Sequence, residues 1–189
     1  QRYYESQMIR LYAYHGSAVD PSPVVLDTEQ RTVPTQGGGQ TQIRAFDQGY
    51  RTFETLDEAE AYVAENPGAQ LGGIGDNPPE RVEALENYRL VDSNDRLSRN
   101  YVRGVRRTQQ LTNASNVRLF RNTPSWVKTF EKVPGATIEG SGAPAGNEVR
   151  ATVQMNMPGG QPFSYTQYAT ADENGNFELT VPYSTTGYD

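Results

Sequence analysis

Between residues 149 and 157 every second residue is apolar: Val149, Ala151, Val153, Met155 and Met157 alternate with Arg150, Thr152, Gln154 and Asn156. A period of two fits a strand with one buried face and is incompatible with a helix, whose stripe recurs every three and four residues. The pattern returns on Phe163, Tyr165 and Ala169, and again on Phe177, Leu179 and Val181. Pro158-Gly159-Gly160 reads as the first turn. Asn174-Gly175 predicts a type I′ hairpin turn with positive φ at both central residues. The C-terminal part is thus expected to be an antiparallel β-sandwich-like module, incomplete at its C-terminal end.

The preceding chain reads differently. Tyr4, Met8, Leu11, Tyr12 and His15 fall on one helical stripe, so the spacing predicts a helix over 3–15 with that stripe inward and Gly16 just past its end. Val24-Val25-Leu26 is a short strand candidate. Gly37-Gly38-Gly39 is a loop. Ile43–Phe53 is extended, with Ile43, Ala45 and Tyr50 as inward positions. Thr55-Leu56-Asp57-Glu58 fits a capping box that opens a second helix, with Ala59, Tyr62 and Val63 on its apolar face and Asn66-Pro67-Gly68 as its stop. Gln70–Gly75 is a strand, and Pro78-Pro79 opens a third helix with Val82 and Leu85 inward. Tyr88–Val91 and Val117–Phe120 are further strands, with a short helix between them over 100–109. The junction is Ser125–Gly140, which holds the sole tryptophan, Trp126, and the only lysines, Lys128 and Lys132. Its alternation predicts a strand over 126–133 with Trp126 and Val127 near the core and Lys128 near water. The expected fold is α+β: a mixed helix/strand domain over 1–132, then the β-domain over 133–189.

With 189 residues and no cysteine, disulfides and thiolate chemistry are excluded, and one histidine excludes a zinc site built on several. A net charge of −6 argues against nucleic acid as a partner. Acidic charge with two lysines tilts toward a protein adapted to high salt, the alternative being an ordinary acidic domain. Mean hydropathy is −0.74, and no apolar run approaches the ~18–20 residues of a membrane span. The chain begins inside a helical pattern and carries no leader, which reads as a piece of something longer.

Each chemical candidate has a structural competitor. His15 could serve as a general base, but it lies in the last turn of a helix and no serine–aspartate constellation is assignable to it. Gly72-Gly73-Ile74-Gly75 lacks the Gly-Lys-Ser/Thr ending of a phosphate loop. Asp172–Asn176 is rich in oxygen ligands but lacks the twelve-residue calcium loop, so a plain turn is favoured. Arg96, Arg99, Arg103, Arg106 and Arg107 could hold an anion or form a solvated helix face. Asn113-Ala114-Ser115 is a sequon, making Asn113 a candidate for glycosylation.

Four segments carry a resemblance: Y-Y-E-S-Q-M-I-R-L-Y-A-Y-H-G-S-A over Tyr3–Ala18, G-G-I-G-D-N-P-P-E-R-V-E-A-L-E-N-Y-R-L-V over Gly72–Val91, P-S-W-V-K-T-F-E-K-V-P-G-A-T-I-E-G over Pro124–Gly140, and V-P-Y-S-T-T-G-Y-D over Val181–Asp189. Together they resemble the C-terminal soluble region of haloarchaeal oligosaccharyltransferase catalytic subunits. The resemblance implies a central-core domain followed by a peripheral β-domain, on the extracellular face of the cell membrane. It implies a membrane glycosyltransferase that moves a dolichol-phosphate-linked oligosaccharide to the asparagine of an Asn-x-Ser/Thr acceptor. The upstream transmembrane part would hold the catalytic carboxylates and a divalent metal, Mg or Mn. The family's Trp-Trp-Asp-Tyr-Gly signature is absent here, since Trp126 stands in Ser-Trp-Val. No catalytic residue and no metal ligand is therefore expected in this stretch, which would be inactive by itself.

Family members also line the acceptor pocket with a helix bearing Asp, Lys three residues on, and Met or Ile four further. Carried onto Tyr3–His15, the last position is Met8, with Tyr4 and Gln1 in the other slots, or Ile9, with Glu5 and Arg2. Neither register supplies the charged pair, so only Met8 and Ile9 are acceptor-pocket candidates, with ordinary core packing as the competing role. A cell-surface binding or structural module built on the β-sandwich is the alternative reading of the whole chain. A free-standing enzyme comes third, for want of a catalytic cluster.

Overall fold

The computed structural model describes residues 3–72, 77–94, 99, 102–104, 106, 125–156 and 162–187, side chains at 44–49 excepted. The chain forms two compact units, each assembled from separate stretches. One comprises Gln1–Asp20, Arg81–Ser98 and Arg121–Asp189; the other comprises Pro21–Glu80 and Arg99–Phe120.

The second unit is built on a long hairpin. Strands β1 (Val24–Pro34) and β2 (Gln40–Thr52) pair antiparallel, and β3 (Ala69–Gly72) pairs with the start of β1, giving the order β2-β1-β3. The three-residue strand expected at Val24–Leu26 is thus the root of a strand of 11 residues. Helix α2 (Leu56–Glu65) follows the sequence closely. The Thr55 hydroxyl accepts the Glu58 N–H at 3.3 Å, while the Glu58 carboxylate reaches back one residue further than a capping box requires, to the Glu54 N–H. Ala59, Tyr62 and Val63 pack with Val25, Phe53 and Ala69 as this unit's core. Ile43, expected inward, is 43% exposed, because its part of the ribbon lies beyond the four residues of β1 that β3 covers.

The first unit contains α1 (Gln7–Tyr12) and three antiparallel ladders: β4 (Tyr88–Ser93) with β5 (Lys128–Lys132), β6 (Ala136–Gly140) with β9 (Phe177–Val181), and β7 (Glu148–Asn156) with β8 (Pro162–Thr170). Val149, Ala151, Val153 and Met155 lie inward of their polar neighbours, as the alternation requires. Phe163, Tyr165, Leu179 and Val181 form the main core with Ala18, Ala84 and Leu90. The β-rich antiparallel character matches expectation. Of the short helix expected over 100–109, the described residues 102–104 and 106 are helical.

Three expectations are corrected here. The third helix does not form. Val82 makes an antiparallel bridge to Val19, with N–H···O distances of 2.9 and 3.0 Å, and the Leu85 N–H donates to the Gly16 carbonyl at 2.7 Å. The carbonyls of Glu83 and Ala84, which a helix would use internally, accept from the Arg10 guanidinium at 2.7–3.0 Å. Tertiary partners thus overrule a local preference.

The inward phase of α1 is also shifted. Tyr4 and His15 of the expected stripe are buried, but Ile9 and Tyr14 take the other inward places, beside Val19 and Val82, and Met8 is 70% exposed. The helix is only six residues long, so a stripe extrapolated over thirteen does not hold. Finally, the Asn174-Gly175 turn has one positive φ, at Gly175 (+79°), and joins β8 to β9, which are not ladder partners.

Gly175 is required twice over. A Cβ at this position would lie 2.4 Å from the Ala143 carbonyl oxygen, and the backbone conformation itself disfavours an L side chain. Gly175→Ala should lower unfolding free energy by about 1–3 kcal/mol, read from denaturant midpoints.

Candidate functional site

The exposed face of α1 carries Met8, and beyond its C-terminal end His15 meets Lys128 of β5. The Ser6 hydroxyl caps the helix, accepting the Ile9 N–H at 3.4 Å. Its far end closes through two successive residues of positive φ, His15 (+58°) and Gly16 (+79°), with the Gly16 N–H donating to the Arg10 carbonyl at 2.8 Å. Histidine tolerates this conformation better than branched residues do. Of the acceptor-pocket candidates, Met8 stands in solvent and Ile9 is enclosed in the core.

His15 is buried, and its imidazole meets the edge of Phe163 at a centroid distance of 5.2 Å. Its Nε2 lies 2.7 Å from the Lys128 ammonium, which also donates to the Tyr12 carbonyl and lies 4.9 Å from the Tyr12 ring centroid. An ammonium has no acceptor lone pair, so Nε2 accepts and the ring proton resides on Nδ1. Nδ1 is buried and has no hydrogen-bond partner among the described residues. Burial, then the Lys128 charge, lower the His15 pKa to about 3. The imidazole is therefore neutral at ordinary pH and its basic nitrogen is occupied, which suits a structural contact better than a general base.

This overturns the expected placement of Lys128 and Trp126. Lys128 is half-buried, its ammonium drawn to the Tyr12 carbonyl and the His15 imidazole. Trp126 and Val127, expected near the core, are 54% and 52% exposed. β5 begins only at Lys128, and Phe130 shares its inward face.

A second polar cluster escaped the sequence reading. Arg81 pairs with Glu148 and, at 3.4 Å, with Asp20, and its guanidinium lies 4.2 Å from the Tyr168 ring centroid. The Tyr168 hydroxyl contacts both Asp20 carboxylate oxygens at 2.8 Å. Its phenol pKa is raised, first by burial and then by Asp20. These four residues are far apart in sequence and no spacing rule joins them.

A cavity of about 740 Å³ opens beside β6 and β9, lined by Glu139, Ser141, Thr170, Asp172, Phe177 and Glu178 among others. The Asp172 carboxylate is occupied by the turn: it accepts the Asn176 and Asn174 N–H groups at 2.8 Å and the Asn176 side chain at 3.2 Å, which hold its pKa below the usual range. The plain turn favoured over a calcium loop is what forms. Among the described residues no three His, Cys, Asp or Glu side chains are grouped to hold a metal ion, and no described helix is long and apolar enough to cross a membrane. Asn113, Gly73–Gly75, Arg96 and Arg107 lie outside the described residues; Arg99, Arg103 and Arg106 are helical.

Residues 135–189 match the family described as "Archaeal glycosylation protein B long peripheral domain". Across 196 aligned positions the whole chain is 50% identical to the dolichyl-monophosphooligosaccharide–protein glycotransferase AglB of Haloferax volcanii. The resemblance to archaeal oligosaccharyltransferase catalytic subunits is borne out. The match covers 100% of this chain and 18% of the length of that AglB. No solved structure matches the chain.

Proposed function

We propose that this chain is a water-exposed region of a membrane oligosaccharyltransferase, on the extracellular face, which passes a dolichol-linked glycan to the asparagine of an Asn-x-Ser/Thr acceptor. Identity of 50% along the entire chain to a protein named as a dolichyl-monophosphooligosaccharide–protein glycotransferase carries the reading. Residues 1–132 would belong to the central core and residues 133–189 to a sandwich-like peripheral β-domain, a division suggested by the family match starting at residue 135.

The role assigned to this region is placement of the acceptor, not bond making. The described side chains offer no ligand set for a divalent metal; on this proposal the carboxylates and the metal belong to another part of the enzyme. Holding an acceptor in reactive geometry contributes to rate by supplying orientation in advance. Met8, exposed on α1, is available to touch an acceptor; Ile9 supports the helix from beneath.

A chimera tests this. The aligned region of the Haloferax volcanii enzyme is replaced by this chain, and glycan transfer to an Asn-x-Ser/Thr peptide is measured. Transfer should survive the exchange, fall at least tenfold when the region is deleted, and be undetectable for the 189 residues by themselves. Transfer by the isolated chain, or undiminished transfer after deletion, would refute the proposal.

A further inference from the structure

The sole histidine sits where one added proton would set two cations against each other. Its Nε2 accepts from Lys128 at 2.7 Å, its ring is 7% exposed, and Nδ1 already lacks a partner among the described residues. Among the described residues it meets the Lys128 ammonium from β5 and the apolar Phe163 ring from β8, and that ammonium in turn contacts the Tyr12 ring and carbonyl from α1. The charge acting on it is that of Lys128. His15 sits within the elements of a hinge: a six-residue helix precedes it, and it is the first of two consecutive residues of positive φ. The same ammonium that bonds His15 also holds the Tyr12 carbonyl at the end of that helix.

We propose that His15 and Lys128 form an acid-sensitive latch: protonation of His15 breaks its bond to Lys128 and releases α1 and the 13–16 turn from β5, while the β7–β8 and β6–β9 ladders stay paired. The sign follows from linkage. A histidine that titrates lower when docked than when released keeps the latch closed above its free pKa of about 6.5. As pH falls below that value, the released form takes up a proton that the docked form refuses. Opening should therefore increase about tenfold per pH unit, levelling off near pH 3. A helix of six residues is the kind of element that opens before the sheet it rests on.

Amide hydrogen exchange on the 189-residue chain between pH 6 and 4 tests the latch, with rates corrected for the pH dependence of free-peptide exchange. The Arg10, Ala13 and His15 amides, which close α1 and its turn, should lose protection about tenfold per unit. Amides of Val153, Leu179 and Val181 should not. In His15→Gln the α1 protection should be flat over this range. Should that variant fold poorly, His15→Asn serves the same purpose, since asparagine suits the positive φ. A flat profile in the parent chain, an unchanged slope in the variant, or equal loss in β7 and β9 would each overturn the latch.

Discussion

Residues 135–189 made as a separate polypeptide should lose cooperative unfolding. The strands in this stretch form two ladders of two strands each, and two-stranded ladders are marginal in water unless another layer covers them. The covering layer is supplied by distant sequence. Phe163, Tyr165, Leu179 and Val181 share their core with Ala18, Ala84 and Leu90, and with the half-buried Phe130. Hydrogen bonds also cross the cut: the Ala18 N–H donates to the Thr166 carbonyl at 2.9 Å, and the Leu90 N–H to the Tyr183 hydroxyl at 3.1 Å. Each large side chain uncovered forfeits roughly 1.5–3 kcal/mol, against a typical net stability of about 5–15 kcal/mol for a whole domain. The piece should show broad, non-cooperative thermal curves by circular dichroism and poorly dispersed amide resonances. A sharp transition matching that of the parent chain would show that these strands need no help from residues 1–134.

Tyr165→Ala should be the most damaging single substitution in the same unit. The side chain is 0% exposed, its ring meets Tyr183 at 5.3 Å, and its hydroxyl lies 3.4 Å from the Leu85 carbonyl oxygen. Truncation empties the centre of the core and leaves the Tyr183 ring with Phe163 alone, at 6.1 Å, of its two aromatic contacts among the described residues. Removal of a buried aromatic costs about 3–5 kcal/mol. Tyr165→Phe separates packing from hydrogen bonding. The bond is long, so its loss should cost about 1 kcal/mol or less. Denaturant midpoints at constant slope measure both. Near-equal losses for the two variants would place the weight on the hydroxyl and contradict the packing argument.

The elements most legible in the sequence are those fixed by nearby residues. The Thr55–Glu58 cap, the Ala59–Tyr62–Val63 face and the Val149–Met155 alternation depend on neighbours within one turn or one strand, and all three form. What escaped depends on partners more than sixty residues away. The segment after Pro79 reads as a helix until Val19 and Arg10 claim its backbone groups. Lys128 reads as solvated until α1 presents a carbonyl and an imidazole. Two features set these residues apart without foretelling the contact: a single histidine, and a lysine in a chain that carries only two. The Arg81, Asp20, Glu148 and Tyr168 cluster had no such marker, since each is common and their spacing obeys no periodicity.

The Thr166 N–H bonds the Ser17 hydroxyl and the Ala18 N–H bonds the Thr166 carbonyl, so the seat for the segment that follows the first helix is made from a strand 149 residues further on. A ribosome delivers these partners in order, and at about 5–20 residues per second that segment waits several seconds or longer for its seat. Through that interval His15 and Ala18 lack the shelter of Phe163 and its core neighbours. The nascent polypeptide is then most exposed to aggregation and to chaperone capture, and slower translation upstream of residue 166 would prolong the hazard.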